Sequence, residues 1–430
     1  MKQLLTLFAV SVLLVSLLFH PLSSAHAQGF YARVADTARA QGQRHRKIRA
    51  TFAIPRALAA PVHFWQDIYS KYDRNQVLIH DTDHLEIVYA TISLADISRL
   101  GDPFAAFPPE VQEARRARVR ETMDRVREAL LRLTEDPKRP GQSPLEQRIV
   151  KLFAPYGATP EQFRAAATNE RLRSQTGLKD RFRAGLIASG RYLPQIEAIF
   201  AEEQIPWEMS RLVFVESMFD LRAYSKAGAS GIWQFMPGTA RLMGLQNTRF
   251  IDERNDPTAA SHGAARLLKK NFQQLGTWPL AINAYNSGPG NLLRAVRELG
   301  TTSIERIINS YRGASYGFAS RNFYCEFLAA LHTYEQRETL FGKLTIDPPL
   351  QYDTVVTTGI VALPDLAKHA AVALETLWQL NPGLTPAVYD GSVPLPAGVA
   401  LKVPLTQGKR FLAVMEQLNG AVATSSGAGG

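Results

Sequence analysis

Glu216 has the surroundings that best suit acid catalysis in this sequence. It ends an apolar stretch, Trp207 to Val215, whose spacing predicts a helix. On that helix Glu216 shares a face with Met209, Leu212 and Val213, so its carboxyl group is expected to be partly desolvated. Desolvation raises the pKa of a carboxyl group and keeps it protonated near neutral pH, where it can protonate a leaving group. A helix-end glutamate turned towards water is the alternative.

Two polar segments downstream of Glu216 and Ser217 complete a pattern. They read Gly-x-x-Gln-x-Met-Pro-x-Thr-Ala, with Gln234 and Met236, and Ala-Tyr-Asn-Ser-Gly, beginning at Ala284. Together with the Glu-Ser pair they resemble, in order and spacing, the three signatures of the lytic murein transglycosylases with a soluble-type (goose-lysozyme-like) catalytic domain. The resemblance covers roughly residues 180 to 335. It is closest to the membrane-bound D type, whose entry into the catalytic domain is similar to residues 190–194.

This resemblance implies a fold and a reaction. The expected fold class is mainly α, with a lysozyme-like helical catalytic domain over residues 181–345. Enzymes of this kind cleave the β-1,4 bond between N-acetylmuramic acid and N-acetylglucosamine in peptidoglycan. One glutamate, here Glu216, first protonates the glycosidic oxygen and then takes the proton of the 6-hydroxyl group of the muramic acid. That hydroxyl closes on the anomeric carbon and leaves a 1,6-anhydro end, so no cofactor or metal is implied.

The resemblance also assigns substrate-binding roles. Ser217 would orient Glu216, Gln234 and Met236 would line the cleft, and Tyr285 and Asn286 would contact the muramoyl sugar. The family further places a tyrosine within Thr-Arg-x-Tyr, which corresponds here to residues 320–324. Aligned on the arginine, that tyrosine falls on Phe323. We choose Tyr324, one position later, because its hydroxyl group could serve.

Other readings of the same residues remain open. Glycosidases usually use two carboxyl groups, and Asp220, four residues after Glu216, is the nearest second candidate, although a helix-end or turn role is favoured for it. With Asp220 as a partner the protein would be a hydrolytic muramidase. A catalytically idle peptidoglycan-binding or scaffold protein is the alternative from another class, and the intact set of site residues argues against it.

Residues 28–180 are expected to form a mostly helical accessory region without a catalytic motif. Helices are predicted from about 109 to 133 and from 144 to 153, and β-branched runs on either side of residues 81–83 predict a hairpin. His80 and His84 lie four residues apart beside two aspartates. A strand-turn-strand would scatter these side chains, so a metal site is not expected there.

A composition change after residue 345 predicts a further module. Residues 350–405 read as strand, helix, helix and strand, and this βααβ order with its Asn-Pro resembles a LysM module, which binds glycans that contain N-acetylglucosamine. Thr357 to Ile360 stand where that family usually has Gly-Asp-Thr-Leu, a departure that puts glycan affinity in question. Residues 419–430 are rich in small and polar residues, and we expect a disordered tail.

The composition indicates an exported protein of the cell envelope. The 430-residue chain begins with Lys2, an apolar run and then Ala-His-Ala, the order of a secretory signal over residues 1–27. A periplasmic or envelope-associated location is therefore expected, with membrane association and oligomeric state left open. The net charge of +10 suits anionic cell-wall polymers or lipid head groups. The arginines near residue 116 alternate with acids, which is typical of a solvated helix face and not of a nucleic-acid site.

Overall fold

The computed structural model describes residues 48–138 and 142–427, in which helices predominate. The predicted signal peptide lies outside the described residues. The N-terminal region contains two 3₁₀ turns, Ala50–Phe52 and Arg56–Leu58, followed by α1 Ala59–Ser70, β1 Gln76–Asp81, β2 Val88–Ser93, α2 Pro109–Leu133, α3 Pro144–Phe153, a 3₁₀ turn Ala154–Tyr156, α4 Pro160–Ala166 and β3 Leu172–Thr176. The predicted helices over 109–133 and 144–153 are confirmed, and each begins at a proline, which fits the first turn of a helix.

The N-terminal strands form an antiparallel sheet with the order β2-β1-β3. Leu78 of β1 pairs with Thr91 of β2 and with Gln175 of β3. The hairpin is confirmed, whereas β3 was not predicted. Asp81 is paired with Arg171, whose Nη2 lies 2.8 Å from both carboxylate oxygens. The carboxylate of Asp81 therefore has a structural role, because it is paired with Arg171.

His80 is fully buried in the same sheet. Its ring lies 4.8 Å from the ring of Phe64 and 5.9 Å from that of Phe318. Burial lowers the pKa of His80 to about 4, so the imidazole is neutral. Among the residues that the structure describes, no group of three or more His, Cys, Asp or Glu side chains is arranged to hold a metal ion.

The central region is an array of helices. It comprises α5 Lys179–Ser189, α6 Leu193–Glu202, a 3₁₀ helix Trp207–Arg211, α7 Leu212–Glu216, α8 Pro237–Leu242, α9 Pro257–Leu275, α10 Trp278–Ser287, α11 Pro289–Leu299, α12 Ile304–Ser310, α13 Phe318–Glu335 and α14 Arg337–Phe341. The predicted mainly helical class is confirmed. In the described part of the chain, no helix is long and apolar enough to span a bilayer.

The main hydrophobic core does not divide at residue 180, where the sequence suggested a boundary. Helix α1 packs against α13, and the indole Nε1 of Trp65 donates a 3.0 Å hydrogen bond to Asn322 Oδ1. Tyr69 stacks on Phe182 of α5 at 5.0 Å between ring centroids. The segment from Phe52 to Tyr69 therefore shares one core with the central helices.

The C-terminal module contains β4 Tyr352–Val356, α15 Leu363–His369, α16 Leu374–Leu380, α17 Pro386–Tyr389, β5 Ala400–Pro404 and α18 Gly408–Gly427. Strands β4 and β5 pair antiparallel, as the βααβ reading requires, with α17 as an additional turn of helix. The predicted disorder from residue 419 is wrong for residues 419–427, which continue α18. Phe411, Val414 and Met415 bury one face of α18 in the core of the module and so support the helix. The likeness to LysM stays a prediction.

Main-chain hydrogen bonds join this module to the central region. The amide of Asp252 donates to Gly383 O at 2.7 Å, and the amide of Thr385 donates to Phe250 O at 3.2 Å. Lys402 Nζ lies 2.9 Å from the carboxylate of Asp256. These contacts hold the module in a fixed position beside the segment between α8 and α9.

Candidate active site

Glu216 is the last residue of α7, and it lies only partly exposed to solvent. The residues before it anchor the helix, because Leu212, Val213 and Phe214 are fully buried. The predicted partly desolvated carboxyl group is therefore present. The chain leaves the helix immediately after Glu216, since Ser217 already departs from helical geometry.

Left-handed backbone conformations cluster around the carboxyl group. Met218, Phe219 and Gln234 have φ angles of 54°, 62° and 49°. Non-glycine residues in this region each cost about 1–3 kcal/mol, and such strain persists only where packing holds it. Helix α5 supplies that packing, because a Cβ atom at Gly185 would lie only 2.7 Å from Met218 O. The turn after Glu216 is thus tightly held.

The loop over residues 228–236 is tied to the end of α7. Ser217 Oγ donates a 2.9 Å hydrogen bond to Ile232 O. Gln234 Nε2 donates to Gly231 O at 2.8 Å and to Ala223 O at 3.1 Å. Ser217 therefore bonds to the loop, and its role in orienting Glu216 stays a prediction. The amide nitrogen of Gln234 holds the same loop.

Arg254 fixes the outer part of the loop. Its Nη1 donates to Gly228 O at 2.9 Å, and its guanidinium is paired with Asp252 at 2.7 Å. Gly231, with φ of 77°, passes so close that a Cβ atom there would lie 1.9 Å from Arg254 O. Only glycine fits at that position.

Glu216, Ser217 and Gln234 line one cleft of about 410 Å³. The N-terminal region contributes a wall to this cleft, which the sequence did not predict. The other lining residues are Phe104, Leu178, Arg181, Val215, Met218, Asp220, Arg222, Ala223 and Tyr224. The cleft is therefore built from segments more than a hundred residues apart in the chain.

The surroundings of Glu216 favour its protonated form. Burial, together with the smaller effect of the negative charge of Glu326 on α13, raises the pKa of Glu216 to about 8. Burial also raises the pKa of Glu326 to about 8. Within residues 48–138 and 142–427, no group donates a hydrogen bond to the carboxyl group of Glu216. This acid is therefore available to a bound ligand.

Two tyrosines are electrostatically coupled to Glu216. The pKa of Tyr69 on α1 and that of Tyr285 on α10 are raised well above the usual value by burial and by nearby carboxylates, which include Glu216 in both cases. Tyr285 donates from its hydroxyl group to Trp233 O at 2.9 Å. The structure therefore brings the predicted Tyr285 to the site, together with Tyr69, which was not predicted.

Met236 and Asn286 lie at the surface near these residues and do not line the cleft. Met236 is 42% exposed, immediately before α8. Asn286 is exposed and accepts a 3.1 Å hydrogen bond from Ser320 Oγ. Their predicted contacts with the substrate stay predictions.

Tyr324, which we chose over Phe323, does not line the cleft around Glu216, and its contact with the substrate stays a prediction. Tyr324 is buried against Phe327, and its hydroxyl group donates to Thr51 O at 3.3 Å, on the side of α13 that faces the N-terminal region. Phe323 instead lies parallel to the ring of Tyr285, at 6.4 Å between centroids. Neighbouring residues on a helix point about 100° apart. Phe323 therefore faces Tyr285, whereas Tyr324, one position later, faces the N-terminal region.

Glu326 could have been found from the sequence. It is the only charged residue in the apolar run from Phe323 to Leu331 on α13. A carboxylate inside such a run needs either a partner or a functional reason to be buried. The described residues form no ion pair or hydrogen bond with Glu326. Its negative charge raises the pKa of Glu216 and also that of Tyr69.

Asp220 lies in the turn after α7, as the sequence favoured. Its Oδ1 accepts a 2.9 Å hydrogen bond from the amide of Arg222, which is typical of an Asx turn. Burial raises its pKa. Asp220 also lines the cleft, so it is a second carboxyl group in the same cleft as Glu216.

We expect Glu326→Gln to move the alkaline limb of the pH profile of kcat/KM to lower pH. The acid form of Glu216 is lost as pH rises through its pKa, and the substitution removes the negative charge that raises this pKa while the burial remains. The measurement is kcat/KM on glycan strands across the range around pH 8. Glu335→Gln, on the same helix, is the matched control and should leave the limb in place. An unchanged limb in Glu326→Gln would mean that burial alone sets the pKa of Glu216.

The segment that carries Glu216 is similar in sequence to known proteins. Residues 196–308 match the family model of the transglycosylase SLT domain. Membrane-bound lytic murein transglycosylase D of Escherichia coli (strain K12) is 29% identical over 212 residues, which cover 47% of this chain and 45% of that protein. A putative tributyltin chloride resistance protein of Alteromonas sp. (strain M-1) is 34% identical over 25% of this chain and 53% of that protein.

Residues 196–308, which include Glu216, are therefore similar to a transglycosylase SLT domain. The chain spans about half the length of this curated relative, membrane-bound lytic murein transglycosylase D. The crystal structure of an inactive mutant of the lytic transglycosylase Slt from Pseudomonas aeruginosa is 17% identical, covering 76% of this chain and 48% of that chain with a TM-score of 0.29.

Proposed function

We propose that this protein is a lytic transglycosylase that cleaves the β-1,4 bond between N-acetylmuramic acid and N-acetylglucosamine in peptidoglycan. The observation that carries the proposal is Glu216, a carboxyl group with a pKa of about 8 that lines a cleft and has no hydrogen-bond donor among the described residues. The SLT domain around it and the likeness to a murein transglycosylase support the substrate class.

The proposed reaction uses Glu216 twice. The protonated carboxyl group gives its proton to the glycosidic oxygen while the bond from the anomeric carbon to that oxygen breaks, so N-acetylglucosamine leaves as an alcohol. The resulting carboxylate takes the proton of the 6-hydroxyl group, whose oxygen forms the new bond to the anomeric carbon. Glu216 is protonated again at the end, and no water is consumed. An attacking group within the same sugar has a high effective concentration.

The other site residues fit supporting roles in this proposal. Ser217 and Gln234 hold the loop opposite Glu216, and Tyr285 lies beside the carboxyl group with its hydroxyl group bonded to Trp233 O. Arg181 places a positive charge in the cleft wall, where it would attract the carboxylates of peptide stems. Glu326 acts through Glu216 and is a positioning residue.

The proposed setting is the cell envelope. The signal-like residues 1–27 indicate export, and the net charge of +10 favours contact with anionic wall polymers or lipid head groups. The relative named above is described as membrane-bound. Peptidoglycan strands are the proposed partner, and we include association with the cell-envelope membrane in the proposal.

A hydrolytic muramidase is the second candidate, because Asp220 lines the same cleft as Glu216. In that case Asp220 would either activate a water molecule that attacks the anomeric carbon, or attack that carbon itself and form a glycosyl-enzyme intermediate that water then hydrolyses. The two reactions differ in product: the hydrolytic product carries one more water molecule than the 1,6-anhydro product.

Mass spectrometry of digested peptidoglycan tests both candidates. The full-length protein is incubated with purified peptidoglycan beside the Glu216→Gln and Asp220→Asn variants. Products with 1,6-anhydromuramic acid ends, present with wild type and Asp220→Asn and absent with Glu216→Gln, are expected. Reducing muramic acid ends that disappear with Asp220→Asn would establish the hydrolase instead. Binding without any product would identify a wall-binding protein.

A further inference from the structure

A second, larger cleft lies where the C-terminal module meets the SLT domain. Its volume is about 690 Å³, within the range of roughly 300–1,000 Å³ that ligand sites occupy. Neither part of the chain forms it alone: Tyr224 and Asp252 come from the SLT domain, whereas Trp378, Pro386 and Tyr389 come from the module. The cleft therefore exists only because the module is docked.

The docking is rigid enough to preserve such a cleft. Two backbone hydrogen bonds cross the junction: Gly383 O accepts from the amide of Asp252 at 2.7 Å, and the amide of Thr385 donates to Phe250 O at 3.2 Å. Gly383 allows this close approach, because a Cβ atom there would lie 3.1 Å from the Cβ atom of Asp256. Phe250 also packs against the core of the module.

Aromatic rings with free surface face this cleft. Tyr224 is 70% exposed, although its backbone is held by a bridge to Ser230. Trp378 and Tyr389 are partly exposed, and Tyr389 is held in place by a 2.8 Å hydrogen bond from its hydroxyl group to Asn381 O. Flat rings beside hydrogen-bonding groups such as Asp252 suit the apolar faces and hydroxyl groups of sugar rings.

The second cleft continues into the catalytic one. Arg222, Ala223 and Tyr224 line both. The guanidinium group of Arg222 lies 4.3 Å from the centre of the Trp378 ring and 3.4 Å from the carboxylate of Glu375. Both charged side chains are mostly exposed, so this ion pair is weak and the guanidinium group can move to a ligand. A linear polymer could therefore pass from Glu216 towards Trp378.

We propose that the junction cleft binds sugars of the same glycan strand that Glu216 cleaves, several residues away from the bond that breaks. The inference rests on the proposed function and extends it, because it names where the remainder of the strand lies. Sugar rings would stack on Trp378, Tyr389 and Tyr224, and Arg222 would donate hydrogen bonds to the strand between the two clefts. The protein would then prefer long strands to short fragments.

Blocking the cleft without removing buried groups is the sharpest test. Pro386 is an exposed lining residue, so Pro386→Trp fills the cleft and leaves the junction contacts in place. Ile360→Trp is the matched control, because Ile360 is 71% exposed in the same module and lines neither cleft. Trp378→Ala removes one stacking surface. Each substitution is made in the full-length chain, with and without Glu216→Gln.

Binding is measured with the Glu216→Gln forms, using long peptide-free glycan strands and disaccharide fragments as probes. Pro386→Trp and Trp378→Ala are expected to weaken strand binding about 5- to 10-fold, the usual effect of one aromatic contact. They should affect disaccharide binding less, and Ile360→Trp should match the parent protein. With Glu216 intact, the ratio of kcat/KM on strands to that on disaccharides should fall by a similar factor.

Equal strand binding by Pro386→Trp, Ile360→Trp and the parent protein would overturn the inference. The proposed function is judged separately, by whether the protein with Glu216 intact forms 1,6-anhydro ends. An active enzyme whose preference for long strands survives a filled cleft would refute this binding site alone. An apolar peptide serves as a further probe. If Pro386→Trp binds strands as the parent protein does but no longer binds this peptide, the cleft is a site for a peptide partner instead.

Discussion

Glu216→Gln is expected to lower kcat/KM on glycan strands by about 10²- to 10⁴-fold, the usual contribution of a general acid. The same change should stabilise the folded protein at neutral and alkaline pH. An unfolded glutamate loses its proton near its ordinary pKa, whereas folded Glu216 keeps its proton until pH approaches 8. The folded state therefore binds more protons in this window, and the free energy of unfolding falls as pH rises.

Denaturant unfolding of wild type and variant at several pH values measures this effect. Between the ordinary carboxyl pKa and pH 8, wild type should lose at least about 1 kcal/mol more unfolding free energy than Glu216→Gln. Below that window the two proteins should respond to pH alike. Asp220→Asn provides the comparison for a carboxyl group of the same cleft. Identical pH dependence of wild type and Glu216→Gln would show that Glu216 ionises normally, and the assignment of an acid held protonated would fail.

Gly231→Ala is expected to destabilise the protein by about 3 kcal/mol or more and to abolish cleavage. The new Cβ atom would lie 1.9 Å from Arg254 O, so the loop over residues 228–236 must move. Gln234 and the carbonyl group that holds Ser217 move with it. Thermal unfolding and kcat/KM on strands measure the two effects.

Gly276→Ala separates the clash from the backbone strain. Gly276 has the same φ of 77° as Gly231, but no atom lies within 4 Å of the position that its Cβ would occupy. Its substitution should cost about 1 kcal/mol and leave activity unchanged. Equal destabilisation by the two alanines would show that the left-handed conformation, and not the contact with Arg254, makes Gly231 necessary.

Local signals in the sequence predicted many of the elements. Prolines at the starts of α2 and α3 and β-branched residues in β1 and β4 determined their positions, because these preferences act within a few residues. The candidate site residues Glu216, Ser217 and Gln234 lie in compact motifs, and the structure places them in one cleft. These residues are close both in sequence and in space, so a site of this kind can be predicted from the amino-acid sequence.

Contacts between distant segments were missed for the opposite reason. Strand β3 is short and polar, with Arg173 and Ser174 exposed, and only its pairing with β1, almost a hundred residues earlier, makes it a strand. Tyr69 and Phe104 reach the site from a region without a motif. Glu326 acquires its role only when α13 packs against α7. Local preferences carry no information about such pairings.

The core that α1 shares with the SLT helices makes melting of these parts cooperative. Trp65 cannot leave Asn322, nor Tyr69 leave Phe182, without water entering the interior that also supports Glu216. Calorimetry should therefore record one heat-absorption peak for both parts, and cleavage should cease at the same temperature. A fragment trimmed to residues 196–308 would lack α1 and α13, and its exposed apolar faces should make it aggregate before it could act on a substrate.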